Sequence, residues 1–417
     1  MTIGKRFIGP LMLALAFSCT PDRNFSPDSS SGSGSNPGGR QAVMPSRHVQ
    51  IMISGGYNSI SSYLGEDLED IAAGYVPEGT DAGTNALVIL ARLPEGVYST
   101  TSAPVLYRMY KDADGTVVRD TLRRFSTEDR LFGGDVIHEA LLTVKDRIPG
   151  STYGVVLSSH ASGWLPPGYY EKPSNFEKSA SIRSIGQDKD GSEATEMPLP
   201  DFADAIPFNL SYTLLDCCLS GGVEVAWALR GKSDVVAFTQ TETMADGFDY
   251  QSMMARLIGE SVPNPLGVCE DFYNYYMAKT GVNQSATISL VDTRKMDALA
   301  SVCKTLFEKY RTAINALNGK YVQGYFRYDR HYFYDLRDIL VKAGINADEL
   351  ETLDQALAQC VLYKAATPWF MSGTQYGFAI NHACGLSMYL PSMGSAFLNN
   401  YYIDNIAWNQ ATELVIP

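Results

Sequence analysis

Apolar runs of five to eight residues, bounded by turn-forming residues, recur at 49–53, 86–93, 105–110, 153–159, 211–215, 235–239 and 287–291. Each run predicts a strand. Between several of them apolar positions recur at helical spacing and predict helices over 63–72, 135–145, 223–229 and 250–258. Strands alternating with helices indicate an α/β fold with a mostly parallel sheet covered on both faces. In such sheets functional residues gather where strands end and loops begin. Asp112-Ala113-Asp114-Gly115, between two β-like runs, reads as a hairpin turn. Residues 171–205, rich in Lys, Glu, Ser, Asp and Pro, read mostly as an exposed loop. From about 296 the pattern turns helical (298–317, 332–343, 348–366), then returns to β-like runs at 377–380 and 386–390.

The first residues follow a different logic. Lys5 and Arg6 precede an apolar stretch at 7–17, and Ser18-Cys19 follow. A basic start, an apolar run too short for a bilayer and a small residue before the cut mark a secretion signal. Ala16-Phe17-Ser18-Cys19 resembles a bacterial lipobox, in which the cysteine is diacylated and becomes the new N-terminus. Two acyl chains anchor stably where one is marginal. The expectation is an exported protein held by lipid at Cys19, at the outer membrane, on its periplasmic or cell-surface side. The Ser/Gly/Pro run at 26–39 has nothing to bury and reads as a flexible tether. The expected organisation is a signal peptide (1–18), a tether (19–45), an α/β core (46–290) and a C-terminal helical and β elaboration packed on it (291–417).

Composition narrows the classes. The 417 residues are 45% hydrophobic and 11% aromatic, enough for a sizeable core, so global disorder and a disulfide miniprotein are excluded. A net charge of −13 argues against a duplex nucleic-acid binder, which needs a basic face, and suits cationic peptide partners. The seven cysteines (19, 217, 218, 269, 303, 360, 384) contain no C-x-x-C pair, which fits neither a zinc module nor a dense disulfide framework. Asp67, Asp70, Asp188 and Asp190 form no D-x-D-x-D-G loop, so the sequence gives no support for bound calcium. A monomer is expected.

Familiar catalytic motifs fail. There is no G-x-S-x-G; His138-Glu139 lacks the second histidine of a zincin helix; Gly231-Lys232-Ser233 lacks the first glycine of a P-loop. Two strand ends remain. One runs Tyr153 to Ser159 into His160-Ala161-Ser162-Gly163-Trp164, the other Leu210 to Leu215 into Asp216-Cys217-Cys218-Leu219-Ser220-Gly221-Gly222. A cysteine between a strand end and a helix N-terminus has its thiolate favoured by the helix dipole. A histidine at a neighbouring strand end could exchange its proton, and glycines let backbone N–H groups approach an oxyanion. Alone, the histidine reads as a satisfied structural group and the cysteine as a core residue. Together, 58 residues apart and in this order, they read as a Cys/His acyl-transfer site.

These blocks resemble those of clostripain-like (C11) cysteine peptidases. His160-Ala161-Ser162-Gly163-Trp164 is similar to the family's His-Gly-Ser-Gly-Trp, and Asp216-Cys217-Cys218-Leu219 to its Asp-Ala-Cys-Leu. Segments at 55–70, 223–230, 245–250 and 384–391 resemble further family blocks. The resemblance implies a caspase-like α/β/α sandwich, peptide-bond cleavage through a thioester, and no chemical cofactor. It places the nucleophile at Cys218, with Cys217 a buried neighbour or a redox liability, and the acid/base at His160. Backbone N–H groups of Cys218 and Ala161 would form the oxyanion hole, although Ala161 stands where the family has Gly. Asp216 and Asp246 match positions lining the S1 pocket and would select Arg or Lys at P1; either could instead be a structural residue, Asp216 capping a turn and Asp246 within one. Members are often activated by self-cleavage after the histidine block, which points to Lys178 or Arg183, with Lys172 and Lys189 also in that loop. The reading is a lipid-anchored cysteine endopeptidase. Its competitors are a catalytically silent surface-binding or adhesion lipoprotein and a transpeptidase.

Overall fold

The apolar runs assemble into a nine-stranded sheet. Its strands are β1 (His48–Gly55), β2 (Ala86–Arg92), β3 (Val105–Lys111), β4 (Val117–Arg124), β5 (Thr152–Ser158), β8 (Leu210–Asp216), β9 (Ser233–Phe238), β10 (Thr287–Asp292) and β12 (Val361–Ala366). The intervening β6 (Ile185–Asp190) and β7 (Glu193–Met197) form a separate hairpin, and β11 (Tyr334–Asp335) pairs with Ser387–Met388. The sheet order is β12-β10-β9-β8-β5-β1-β2-β3-β4. The five strands from β9 to β2 run parallel, and an antiparallel pair closes each side. The computed structural model describes residues 47–96, 98–166, 168–169, 185–190, 193–327 and 331–417. Cys19, the tether, Lys172, Lys178 and Arg183 lie outside them.

Period-two alternation divides the strand side chains between two cores. Ile51, Ile53, Val88, Val155 and Leu157 face one core, completed by helices α2 (Val136–Arg147), α3 (Leu199–Asp204), α4 (Val223–Ala228), α7 (Met296–Asn315), α8 (Leu336–Lys342) and α9 (Ala347–Cys360). Met52, Leu87, Ile89, Val156 and Leu214 face the other, completed by α1 (Ser61–Ala73), α5 (Tyr250–Met254) and α6 (Pro265–Met277). A sheet buried on both faces explains the nearly continuous apolar runs. This is the α/β/α sandwich that the sequence implied.

Three expectations need correction. The helix expected over 348–366 ends at Cys360, and Val361–Ala366 becomes an edge strand paired antiparallel with β10. The β-branched and aromatic start, Val361 to Tyr363, suits a pleated surface and overrides the helical run before it. Of the exposed loop expected over 171–205, the described residues form the β6–β7 hairpin and α3. Asp188 within it is fully buried and pairs with buried Arg92 at 3.1 Å. The helix expected over 250–258 is α-helical only to Met254 and continues as a π-helical turn.

Candidate active site

The sheet sets the geometry of the two strand ends. β5 and β8 are adjacent and parallel, and Ser158 pairs with Asp216. His160 and Cys218 each lie two residues beyond that pair, so both leave the sheet at the same, C-terminal, end of their strands. Their loops touch. Gly163 has φ +64°, and a Cβ there would come within 2.4 Å of the Leu219 carbonyl oxygen. Glycine is therefore required both by conformation and by the approach of the two loops. Trp164 buries itself against Phe333, Tyr389 and Tyr402 and anchors the histidine loop.

Past Cys218 the chain turns sharply. Leu219 takes a left-handed φ of 58°, which costs a β-carbon-bearing residue about 1 kcal/mol. This turn lets Leu219 N–H donate to Thr241 O at 2.9 Å, and Gly221 N–H donates to Thr239 O at 2.7 Å. The cysteine loop is thus laced to the loop after β9. The Cys218 thiol is half-buried there: Thr243 N–H donates to Sγ at 3.4 Å, and Sγ lies 3.9 Å from Thr243 O. Cys217 is fully buried, with Sγ 3.6 Å from Leu157 O in the core.

The thiol is not the dipole-activated thiolate that its place in the sequence suggests. Helix α4 begins only at Val223 and spans six residues. Burial pushes the Cys218 thiol up to about 12, helped by the nearby Glu242 carboxylate and opposed by the Thr243 N–H and Arg327. Arg327 itself forms a two-pronged ion pair with Glu242.

His160 Nε2 lies 2.9 Å from the hydroxyl of Ser59, in the turn between β1 and α1. Ala161 bridges antiparallel to Ile185 at the start of the hairpin. The Asp216 carboxylate is buried: Oδ2 accepts from Tyr250 O–H at 2.6 Å and from Phe248 N–H at 3.4 Å, and burial pushes its pKa up to about 6. It sits directly beneath Gly247. Asp246, one residue earlier, is exposed and accepts from Lys279 at 2.5 Å and Tyr275 at 3.0 Å. The Lys279 hydrogen bond holds its pKa below the usual carboxylate range. Asp67 on α1 feels both acids, but burial is the main reason its pKa rises to about 9. Ser59, Thr243, Glu242, Arg327 and Lys279 carried no signal in the sequence, since each reaches the site only through the fold. Among the described residues no cluster of His, Cys, Asp and Glu is arranged to hold a metal.

An α/β/α sandwich presenting a histidine and a cysteine at the ends of neighbouring parallel strands has the architecture of a caspase-like cysteine peptidase. The chain belongs to the C11, or clostripain, peptidase family, whose model matches residues 53–413, and it is a cysteine endopeptidase. An inactive zymogen C11 protease from Parabacteroides distasonis is 26% identical, with a TM-score of 0.73 over 88% of this chain and 98% of that one. A secreted C11 cysteine protease from Bacteroides thetaiotaomicron, in complex with an irreversible peptide inhibitor, is 24% identical. Its TM-score is 0.71, over 88% of this chain and 99% of that one. No curated protein sequence matches the chain.

Proposed function

We propose that this chain is a lipid-anchored endopeptidase that cuts after Arg or Lys through a Cys218–His160 dyad and processes itself after the histidine loop. What supports the dyad is the pairing of Ser158 with Asp216, which brings both residues out of the sheet at the same end of adjacent strands, and the closure of Gly163 on Leu219. Cys218, half-buried against Thr243, is the nucleophile; Cys217 is turned into the core.

Burial keeps the resting thiol protonated, so acylation starts from the thiol itself. His160 takes the thiol proton as Sγ attacks the scissile carbonyl, then gives it to the leaving amine. The C–N bond breaks and a thioester remains. Water then attacks the thioester while His160 takes its proton and returns it to the departing sulfur. Backbone N–H groups of Cys218 and Ala161 are the proposed donors to the oxyanion in both steps. Asp246, at the surface, is the carboxylate that meets a P1 guanidinium or ammonium, and Asp216 adds its charge from beneath Gly247.

Self-processing is proposed after Lys178 or Arg183, and the resemblance to a structure described as a zymogen agrees with it. The anchor is Cys19, and the location is the outer membrane. Peptide substrates with Arg, Lys or a neutral residue at P1 test the enzyme. Cys218→Ala and His160→Ala should abolish cleavage, Cys217→Ala should retain most of it, and equal turnover of neutral substrates would overturn the basic preference. Intact mass of the wild type against Cys218→Ala tests self-processing, and labelled fatty acid on wild type against Cys19→Ala tests the anchor.

A further inference from the structure

The turn that carries Ser59 is fastened from several directions. Asn58 Nδ2 donates to Gly55 O at 3.0 Å and to Gln187 O at 2.8 Å, and its Oδ1 accepts from Ile60 N–H at 3.0 Å. Asn58 O in turn accepts from the Ser61 hydroxyl at 2.9 Å. The end of β1, the start of α1 and the β6–β7 hairpin are thus pinned together at one asparagine. The same hairpin is tied to the histidine loop: Gln187 N–H donates to Ser159 Oγ at 3.2 Å, and Ser159 Oγ donates to Gly55 O at 2.6 Å. Ser59 is held by this frame with its hydroxyl 2.9 Å from His160 Nε2.

We infer that Ser59 is a positioning residue that fixes the orientation and tautomer of His160. The inference rests on the reading of His160 as the acid/base. A histidine that shuttles protons through one ring nitrogen needs the other fixed by a hydrogen bond. With Nε2–H donating to Ser59 Oγ, Nδ1 keeps its lone pair and is the nitrogen that accepts a proton during acylation. The imidazolium formed then still donates from Nε2, so the serine contact persists through the step and demands no rearrangement. No proton passes to Ser59. In this tautomer the Ser59 oxygen accepts, so its own hydroxyl proton must point away from the ring.

Three variants separate the possibilities. Ser59→Ala should lower kcat about tenfold while KM stays within about twofold, because the ring loses its fixed tautomer and not its substrate contacts. Ser59→Thr keeps the hydroxyl and should restore most of kcat. Nitrogen NMR of the His160 imidazole should show a protonated Nε2 in the wild type and a tautomer mixture in Ser59→Ala. An unchanged kcat in Ser59→Ala, a loss that Thr does not restore, or a wild-type tautomer in Ser59→Ala would each overturn the inference. His160→Ala is the separate control. If it retains full activity, the dyad reading fails whatever Ser59 does.

Discussion

Arg327 reaches across the site and clasps Glu242, with Nη2 2.8 Å from Oε1 and Nε on Oε2. The pair stands beside the Cys218 thiol and acts on it in opposite senses, the carboxylate disfavouring the thiolate and the guanidinium favouring it. Removing the carboxylate alone therefore leaves a net cation near the sulfur. Glu242→Gln should raise the thiolate fraction at neutral pH several-fold to about tenfold, one pKa unit corresponding to tenfold. Arg327→Met should lower it. Alkylation rates of Cys218 measure both, and a slower alkylation in Glu242→Gln would contradict this account.

Asp246 already holds a cation. Its carboxylate accepts from Lys279, which also packs over the Tyr275 ring at 4.1 Å. In the proposed S1 role of Asp246 a basic P1 side chain would compete with that lysine, but a half-exposed ion pair contributes about 1 kcal/mol or less. Lys279→Ala should raise kcat/KM on Arg substrates by about two- to fivefold. Asp246→Asn should lower it by a larger factor, with little change on neutral substrates.

Gly163 offers a stability test. Gly163→Ala adds a methyl at φ +64° and within 2.4 Å of a backbone oxygen. The loss should be about 2 kcal/mol or more, and activity should fall because the histidine loop must move. Gly115, also left-handed at φ +85° but facing open space, is the control. Gly115→Ala should cost only the conformational part. Thermal midpoints of the two variants separate strain from collision.

Glu224 sets a pH dependence. It is buried on α4, and Oε1 accepts from Tyr389 N–H at 3.0 Å and Tyr402 O–H at 2.8 Å. Burial nevertheless dominates and pushes its pKa from 4.5 up to about 7. The native state thus binds this proton more tightly than the unfolded chain does. The associated stability is complete below about pH 4.5 and is lost as pH rises towards 7, reaching about 3 kcal/mol. Asp216, pushed up to about 6, acts in the same direction. Denaturant midpoints should fall from pH 5 to pH 7.5, and Glu224→Gln should flatten that slope.

Much of the site was legible because strands buried on both faces announce their ends. Apolar runs stop at Ser159 and Leu215, and the residues that follow, His160 and Cys218, stand out against small neighbours. What the sequence concealed depends on contacts between distant segments. Ser59 is 101 residues from His160, and Arg327 is 85 from Glu242. The β6–β7 hairpin looked solvated because its composition is polar, yet Asp188 is neutralised by Arg92 and accepts from Leu131 N–H at 2.5 Å. Buried charge reads as surface charge until its partner is known. Strand β12 hid for a different reason, following α9 without a single breaker residue.

The strand order has a further consequence. Among the nine strands of the sheet, those up to β5 lie on one side and those from β8 onward on the other, so within the sheet the two halves of the chain meet only at the β5–β8 seam. His160 belongs to the first half and Cys218 to the second. A chain severed between those strands becomes, in effect, a two-subunit protein in which His160 and Cys218 come from different polypeptides and the continuous sheet holds them together.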